Sequence, residues 1–333
     1  MSNRLILVTG GAGFIGSNIV ARLGESGAYD VAVCDRFGEA SLAKWRNIAK
    51  HSIADIVAPD ALPDWFEAHR RELTAVVHMG AISATTEPDV DSIVANNFVL
   101  SRDLWRSCAE HGVRLIYASS AATYGDGEQG FSGLDDEASL SALRPLNAYG
   151  WSKAAFDLYA VRHAKRGAAP PQWAGLKFFN VYGPNEYHKG AMKSVAAHIW
   201  PKVAAGQGVT LFKSHRPDYV DGGQLRDFVY VRDAADVVAW LLANPQVSGV
   251  YNLGSGKARS FADLAKAVFE AAGRDPDIAY ADMPQGLRAQ YQYFTQADVS
   301  RLRVAGYDRP FTSLEAGITD YVAGYLAKPD PYR

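Results

Sequence analysis

Short runs of aliphatic and β-branched residues alternate with longer segments of helical periodicity through the first half of the chain. Side chains that recur every three or four residues form one face of a helix, whereas a short continuous apolar run is typical of a buried strand. Alternation of the two predicts a parallel sheet with helices on both faces. The predicted strands are 4–9, 30–34, 52–57 (the weakest), 75–78, 114–119, 175–179 and 249–254. One predicted helical face carries Ile93, Val94, Asn97, Leu100, Leu104 and Cys108.

The second half of the chain is less regular. After Tyr182 the pattern is irregular until the apolar run at 227–231, and a helix is predicted to begin near Asp233. We therefore predict that the chain leaves the sheet domain near 181, returns near 227 and leaves again near 257. The predicted fold class is α/β, with a doubly wound parallel sheet in 1–181 plus 227–256. A smaller, mainly C-terminal α/β domain is predicted for 182–226 plus 257–333.

Composition narrows the class of protein. The 333 residues are 48% apolar and 21% charged, as in ordinary globular enzymes, and the formal net charge of -2 favours neither nucleic acid nor an anionic membrane as a partner. The two cysteines, Cys34 and Cys108, lie in apolar runs, which favours reduced thiols and a cytoplasmic location. No apolar stretch approaches the roughly 20 residues that span a bilayer, and the first apolar run is too short for a signal peptide. A soluble protein without a metal site is expected.

A glycine-rich turn follows the first predicted strand and precedes an amphipathic helix. Glycines at such a turn let backbone amides approach a pyrophosphate at the helix N-terminus. Asp35, at the end of the second strand, stands where an acidic residue binds the ribose of a dinucleotide. The sequence therefore predicts a Rossmann-like nucleotide-binding domain. The residues of the turn assigned to the cofactor are Gly10, Gly11, Gly13, Phe14, Ile15 and Gly16.

The identity of the nicotinamide cofactor depends on the charges after the second strand. Asp35 favours NAD, because a carboxylate binds the ribose hydroxyls, whereas Arg36 beside it favours the 2′-phosphate of NADP. Lys44 would assist Arg36 if the intervening loop folds back. We predict NADP, with NAD as the alternative.

Tyr149 and Lys153 are four residues apart in a predicted helix, so both side chains lie on one face. A free tyrosine has a pKa of about 10 and is a poor base, but a neighbouring ammonium stabilises the phenolate. Ser120 follows the fifth strand, at the sheet edge where parallel strands present ligand-binding residues. Its hydroxyl would hold a substrate oxygen while Tyr149 moves the proton. A surface helix and a serine-rich turn are the alternatives, which the combination of motifs disfavours.

Taken together, these motifs resemble the extended short-chain dehydrogenase/reductase family in order and spacing. The resemblance implies that Tyr149 is the acid/base group, that Lys153 binds the nicotinamide ribose and lowers the pKa of Tyr149, and that Ser120 orients the substrate hydroxyl. The segments 180–184 and 226–231 match those that open and close the substrate domain of that family. Further cofactor contacts implied by the resemblance are Met79, Gly80, Ala81, Ser83, Asn96 and Val181.

Within that family the chain resembles the ADP-L-glycero-D-manno-heptose 6-epimerases. Dehydratases carry an Asp-Glu pair after the serine, where this chain has Ala121-Ala122. The segment 185–192, with Lys189 flanked by His and Gly, matches the 6-epimerases, as do SATTE at 83–87 and FTQAD at 294–298. The resemblance implies that Tyr149 and Lys189 are two acid/base groups. Substrate contacts implied in addition to Ser120 are Asn180, Ala191, His198, Arg226 and Tyr291.

The need for two such groups has a physical basis. Removing hydride from C6″ leaves a planar ketone, and returning it to the opposite face changes the side on which the oxygen lies. One fixed phenol is not within hydrogen-bond reach of both hydroxyl positions. The implied function is therefore conversion of ADP-D-glycero-D-manno-heptose to its L-glycero epimer, for lipopolysaccharide core synthesis, with tightly bound NADP.

The chain also departs from the family pattern. Met79 and Ile82 replace Glu and Cys, Ala191 replaces a serine, and Arg36 stands where Asn is common. An NAD-dependent UDP-hexose 4-epimerase remains an alternative. A non-catalytic NAD(P)-binding sensor is a further one, disfavoured because Ser120, Tyr149 and Lys153 all persist. The resemblance also implies a homo-oligomer, a homopentamer being one option, and a nucleotide sugar as the small-molecule partner.

Overall fold

Seven parallel strands form the central sheet of the computed structural model, which describes residues 4–39, 43–132, 136–288 and 291–333. The strand order is β10-β6-β5-β4-β1-β2-β3, so the direction of winding reverses between β1 and β4. The predicted α/β fold with a doubly wound, Rossmann-like sheet is confirmed. The strands of this sheet are β1 (Leu5–Thr9), β2 (Asp30–Cys34), β3 (Asp55–Val57), β4 (Leu73–His78), β5 (Arg114–Ser120), β6 (Trp173–Phe178) and β10 (Gly249–Leu253).

The strands were predictable because the sheet is covered on both faces. Ile6, Leu7 and Val8 in β1 are all fully buried, which requires a continuous apolar run and not an alternating one. The described helices are α1 (Phe14–Ser26), α2 (Leu62–His69), α3 (Val90–Ile93), α4 (Leu100–His111), α5 (Glu137–Ala142), α6 (Ala148–Lys165), α7 (Val195–Ala204), α8 (Val231–Ala243), α9 (Phe261–Ala271), α10 (Gln285–Arg288), α11 (Ser300–Val304) and α12 (Leu314–Tyr321).

The two faces of the sheet carry separate apolar clusters. Ile6 and Val8 pack with α1 and α8 on one face, whereas Leu7 packs on the other face with Trp105 of α4 and Phe156 of α6. Short irregular helices connect these elements. They are the 3-10 helices Lys44–Asn47, Pro59–Ala61, Ala121–Tyr124 and Tyr187–Met192 and the π-helical segments Val94–Val99 and Val322–Leu326.

Two small sheets lie outside the central one. Strand β9 (Leu225–Tyr230) pairs in parallel with β7 (Asn180–Tyr182) and antiparallel with β11 (Ala258–Ser260). Strand β8 (Val209–Phe212) pairs with β12 (Ile278–Ala281). The apolar run at 227–231 therefore does not itself rejoin the central sheet, which the chain re-enters through α8 and β10. The domain boundaries given above stay a prediction.

Two features are absent from the described parts of the chain. None of the described helices is long and apolar enough to cross a membrane. The same residues contain no cluster of three or more His, Cys, Asp or Glu side chains arranged to hold a metal ion.

Candidate active site

A cleft with a volume of about 550 Å³ opens at the carboxyl ends of β1, β4, β5 and β6. It lies at the reversal point of the sheet, where doubly wound folds bind ligands. Residues from the central sheet and from the segments after β6 line it together. The predicted site residues that line it are Gly10, Gly13, Phe14, Ile15, Gly16, Asp35, Lys44, Met79, Gly80, Ala81, Ser83, Ser120, Tyr149, Lys153, Asn180, Val181, Lys189 and Arg226.

The glycine turn has room for backbone only. A Cβ on Gly16 would lie 2.1 Å from the Gly10 carbonyl oxygen, and Gly10 itself has a φ of +65°. Gly13 caps α1 without a side-chain hydrogen bond, and the first turn of α1 has no acidic residue. The backbone amide groups in the first turn of α1 are therefore available to an anion. Together with the glycine-rich turn before the helix, they fit the diphosphate of a dinucleotide. Gly11 packs behind the turn against Val33.

Asp35 and Lys44 form an ion pair in the lining of the cleft, beside the glycine-rich turn. The Asp35 carboxylate accepts hydrogen bonds from the Ala12 backbone N–H at 2.9 Å and from Lys44 Nζ at 2.5 Å. Arg36 behaves differently from its prediction: its guanidinium donates to Asp60 at 2.6 Å, and both side chains are exposed outside the cleft. The attraction of the Asp60 carboxylate explains this orientation. Lys44, and not Arg36, therefore places a positive charge in the lining of the cleft beside Asp35.

Tyr149, Lys153 and Ser120 line the same cleft. Asn147 caps the N-terminus of helix α6, and its side chain accepts a hydrogen bond from the Gly150 N–H at 2.8 Å. Tyr149 and Lys153 follow in the first two turns of the helix, and both line the cleft. Burial raises the pKa of Tyr149, opposed by its hydrogen bond with Ser120. Burial lowers the pKa of Lys153 to about 8, opposed by Asp157. The predicted phenol, ammonium and hydroxyl are therefore in one place.

Lys189 lies in the same cleft, on the 3-10 helix Tyr187–Met192. Its Nζ is 5.1 Å from the centroid of the Phe14 ring, and burial lowers its pKa, opposed by the Glu186 carboxylate. Glu186 is fully buried and accepts hydrogen bonds from the Ser194 backbone and hydroxyl and from Tyr321. These contacts fix the segment that presents Lys189 to the cleft.

Three of the remaining predicted substrate residues line two neighbouring cavities, and the fourth, Ala191, lines neither. Arg226 lines the main cleft, with its guanidinium carbon 5.1 Å from the Tyr291 ring centroid. Tyr291 and His198 line an adjacent cavity of about 260 Å³, which shares Phe261 with the cleft. Ala191 lies outside both cavities, and its carbonyl oxygen is 3.1 Å from His198 Nε2.

Asn96 does not reach the cleft. It is exposed and donates to the Ser92 carbonyl at 2.8 Å, whereas its neighbour Asn97 is fully buried and hydrogen-bonds to the Ile82 backbone and to Ser152 of α6. Asn97 lies on the helical face predicted from the sequence. The helical periodicity therefore indicates Asn97 as the inward residue, whereas the family resemblance implied Asn96. The π-helical turn Val94–Val99 changes the phase of the helix at this point.

His188 is a cleft residue that was not assigned from the sequence. Its Nδ1 is 3.2 Å from Asn47 Nδ2, and burial, with Lys44 and Lys189 nearby, lowers its pKa to about 4. A neutral imidazole therefore lies near both lysines. Its only sequence signal was its position beside Lys189. Further lining residues not predicted are Thr85, Phe178, Phe179, Ser194, Gln292 and Thr295.

Comparison with known proteins agrees with this geometry. The model of the NAD dependent epimerase/dehydratase family matches residues 6–254. The chain belongs to that family. It is 49% identical over 336 aligned positions to an ADP-L-glycero-D-manno-heptose-6-epimerase of Nitratidesulfovibrio vulgaris, covering 98% of this chain and 100% of the relative. A Fusobacterium nucleatum protein of the same name is 46% identical over the same shares of the two chains.

Solved structures of family members have the same fold. The ADP-L-glycero-D-manno-heptose-6-epimerase of Helicobacter pylori superposes with a TM-score of 0.80 at 29% identity, covering 97% of this chain and 96% of that one. The UDP-glucose 4-epimerase of Thermus thermophilus, solved in complex with NAD, gives a TM-score of 0.71 at 28% identity, with coverage of 96% and 98%.

Proposed function

We propose that this protein is an ADP-L-glycero-D-manno-heptose 6-epimerase that inverts C6″ through a transient ketone. The observation that carries the proposal is one cleft lined by two separate candidate acid/base groups, Tyr149 and Lys189. Relatives that bear this name, at 39–49% identity over 98% of the chain, support the same substrate. The UDP-hexose 4-epimerase alternative shares the fold and differs in the carbon that is inverted.

The proposed reaction begins at the C6″ hydroxyl of one epimer. A bound nicotinamide would supply the hydride acceptor and, after the ketone has turned in the site, the hydride donor. Tyr149 takes the hydroxyl proton, and Ser120, already hydrogen-bonded to Tyr149, holds the same oxygen. The Lys153 ammonium stabilises the phenolate that must exist before the proton is taken.

Lys189 serves the other epimer in this proposal. Its lowered pKa makes the amine a better proton acceptor at neutral pH than a solvated lysine. Arg226 is proposed to hold the diphosphate, because a guanidinium binds phosphate oxygens in bidentate fashion. Asn180, His198 and Tyr291 are proposed to contact other parts of the nucleotide sugar. A diphosphate anchored at one point would let the sugar turn between the two acid/base groups.

The test of this function is incubation of the purified protein with ADP-D-glycero-D-manno-heptose, followed by NMR of the C6″ proton. We expect both epimers to accumulate. No interconversion in the presence of oxidised cofactor would contradict the proposal, and turnover of UDP-galactose instead would favour the 4-epimerase.

Native mass spectrometry of the same preparation would count the subunits of the proposed homo-oligomer. Cell fractionation would test the proposed cytoplasmic location.

The cofactor is proposed to be NADP, on the ground that the Lys44 ammonium lines the cleft beside Asp35, where we expect the ribose to bind. Lys44→Met is expected to raise the Kd for NADPH by about tenfold or more, because a charge-assisted hydrogen bond is worth about 1.5–3 kcal/mol, and to change the Kd for NADH much less. Fluorescence titration of cofactor-stripped protein measures both constants.

Lys50→Met is the matched control, since Lys50 is paired with Asp330 at 3.0 Å and does not line the cleft. Equal losses for NADPH and NADH in Lys44→Met would contradict a 2′-phosphate contact. The nucleotide released on denaturing the purified protein identifies the cofactor independently.

A further inference from the structure

A buried ion pair lies behind Tyr149 and Lys153, and no step of the proposed reaction uses it. Asp157 and Lys177 are fully buried, with Oδ2 and Nζ 2.7 Å apart. Asp157 is on α6, four residues after Lys153 and eight after Tyr149, so all three side chains share one face of the helix. Lys177 reaches the pair from β6.

The pair is also tied to both sides of Ser120. Asp157 Oδ2 accepts from the hydroxyl of Ser119 at 2.6 Å, and Lys177 Nζ donates to Thr123 Oγ1 at 2.7 Å. Thr123 in turn donates its hydroxyl to the Ser120 carbonyl at 2.8 Å. Ser119 and Thr123, on either side of Ser120 in the sequence, are thus bound by opposite members of one ion pair.

Stability is a poor explanation for this arrangement. Two buried charges lose their hydration, and their mutual attraction offsets only part of that free-energy cost. Apolar residues of similar size often stabilise a core as well or better. Tyr117 also donates its hydroxyl to Asp157, at 3.1 Å, so the core commits a fifth polar side chain to this network. An ion pair that costs desolvation and holds the segment carrying Ser120 fits a role in the chemistry of the proton-transfer residues.

We propose that Asp157, held by Lys177, is a positioning residue that fixes Ser120 against Tyr149 and preserves the positive charge of Lys153. This inference rests on the proposed use of Tyr149 in proton transfer, and it does not depend on the identity of the sugar. Asp157 does not line the cleft and acts through its neighbours.

The charges around Tyr149 and Lys153 give the inference a measurable consequence. Asp157 raises the pKa of both groups, while burial is the larger influence on each. Two neighbouring groups titrate as a pair, so removal of the one carboxylate lowers both apparent pKa values. The ionisable and polar groups around Tyr149 and Lys153 are Asp157 on α6, Tyr117, Ser119 and Ser120 on β5, Lys177 on β6, and His78 on β4. Burial lowers the pKa of His78 to about 3.

Two variants separate charge from fold. Asp157→Asn leaves Lys177 unpaired, whereas Asp157→Asn combined with Lys177→Met removes both charges with little change of shape. The readout is the tyrosine ¹³Cζ NMR signal of Tyr149 against pH, without substrate, assigned with Tyr149→Phe. We expect its midpoint to fall in both variants, by on the order of one pH unit in the single variant and less in the double variant.

Glu137→Gln is the matched control. Glu137 pairs with Arg162 at 2.7 Å on the exposed face of α6, and Arg162 lies 13 residues, or about 20 Å, along the helix from Tyr149. Removing that carboxylate is expected to leave the Tyr149 midpoint unchanged. If Asp157→Asn fails to fold, the double variant decides the matter.

Turnover of the proposed substrate completes the experiment. The double variant is expected to keep the parent's Tm and KM while kcat falls by about tenfold to a hundredfold, because Ser120 loses its supports. A double variant with the parent's Tyr149 midpoint and full kcat would overturn the inference and leave the pair merely structural. A shifted midpoint in a protein whose parent does not epimerise the heptose would support the inference and contradict only the proposed function.

Discussion

Tyr149→Phe is expected to lower kcat for epimerisation by about 10²–10⁴-fold, the usual contribution of a positioned acid or base. Burial raises the pKa of Tyr149, so the phenol is protonated at neutral pH. We propose that the Lys153 ammonium stabilises its phenolate. Phenylalanine keeps the ring and removes the only group at that position that exchanges a proton. The rate is measured by NMR of the C6″ proton, with bound nucleotide quantified after denaturation.

Tyr159→Phe provides the matched control on the same helix. The Tyr159 hydroxyl accepts a bond from Arg106 at 3.3 Å and does not line the cleft, so kcat should not change. Cofactor retention should equal that of the parent in both variants, because the phenylalanine ring still fills its place. A Tyr149→Phe variant with more than about a tenth of the parent rate would remove Tyr149 from the proposed chemistry.

The parts of the site that could be predicted from the sequence are those set by short-range geometry. The turn at 10–16 and the Tyr149–Lys153 spacing each depend on a few consecutive residues, and the structure brings both into one cleft. The strands were predictable because a sheet covered on both faces needs continuous apolar runs. Lys189 was assigned only through the family resemblance, since a lysine in an irregular segment has no periodicity that reveals its direction.

The structure differs from the sequence predictions where a distant residue decides the direction of a side chain. Arg36 turns toward Asp60, 24 positions later, so adjacency to Asp35 did not determine its contact. Asn97, and not Asn96, supports the site, because its buried side chain bonds to Ile82 and to Ser152, which is 55 positions later. The Asp157–Lys177 pair joins a helix to a strand 20 positions later, and neither residue belongs to a motif that would indicate a pairing.

Lys189→Met is expected to lower kcat for epimerisation by about 10²–10⁴-fold while leaving one half of the reaction intact. With Tyr149 present, the epimer whose hydroxyl faces the phenol should still reduce bound nicotinamide, whereas the other epimer should not. Tyr149→Phe should show the opposite preference, because Lys189 then serves the remaining epimer. The absorbance of reduced nicotinamide, followed in single-turnover mixing with each epimer, measures the asymmetry.

The asymmetry matters more than the loss of rate. A lysine that only bound the sugar would, when removed, weaken reduction by both epimers to a similar extent and raise KM. Lys202→Met, on the exposed face of α7, controls for the loss of a positive charge nearby. Full epimerisation by Lys189→Met would contradict the two-base scheme, and equal loss with both epimers would assign Lys189 to binding. Opposite preferences in the Tyr149 and Lys189 variants are a result that only two groups on two sides of C6″ would give, since a single acid/base group cannot be selective for both epimers in turn.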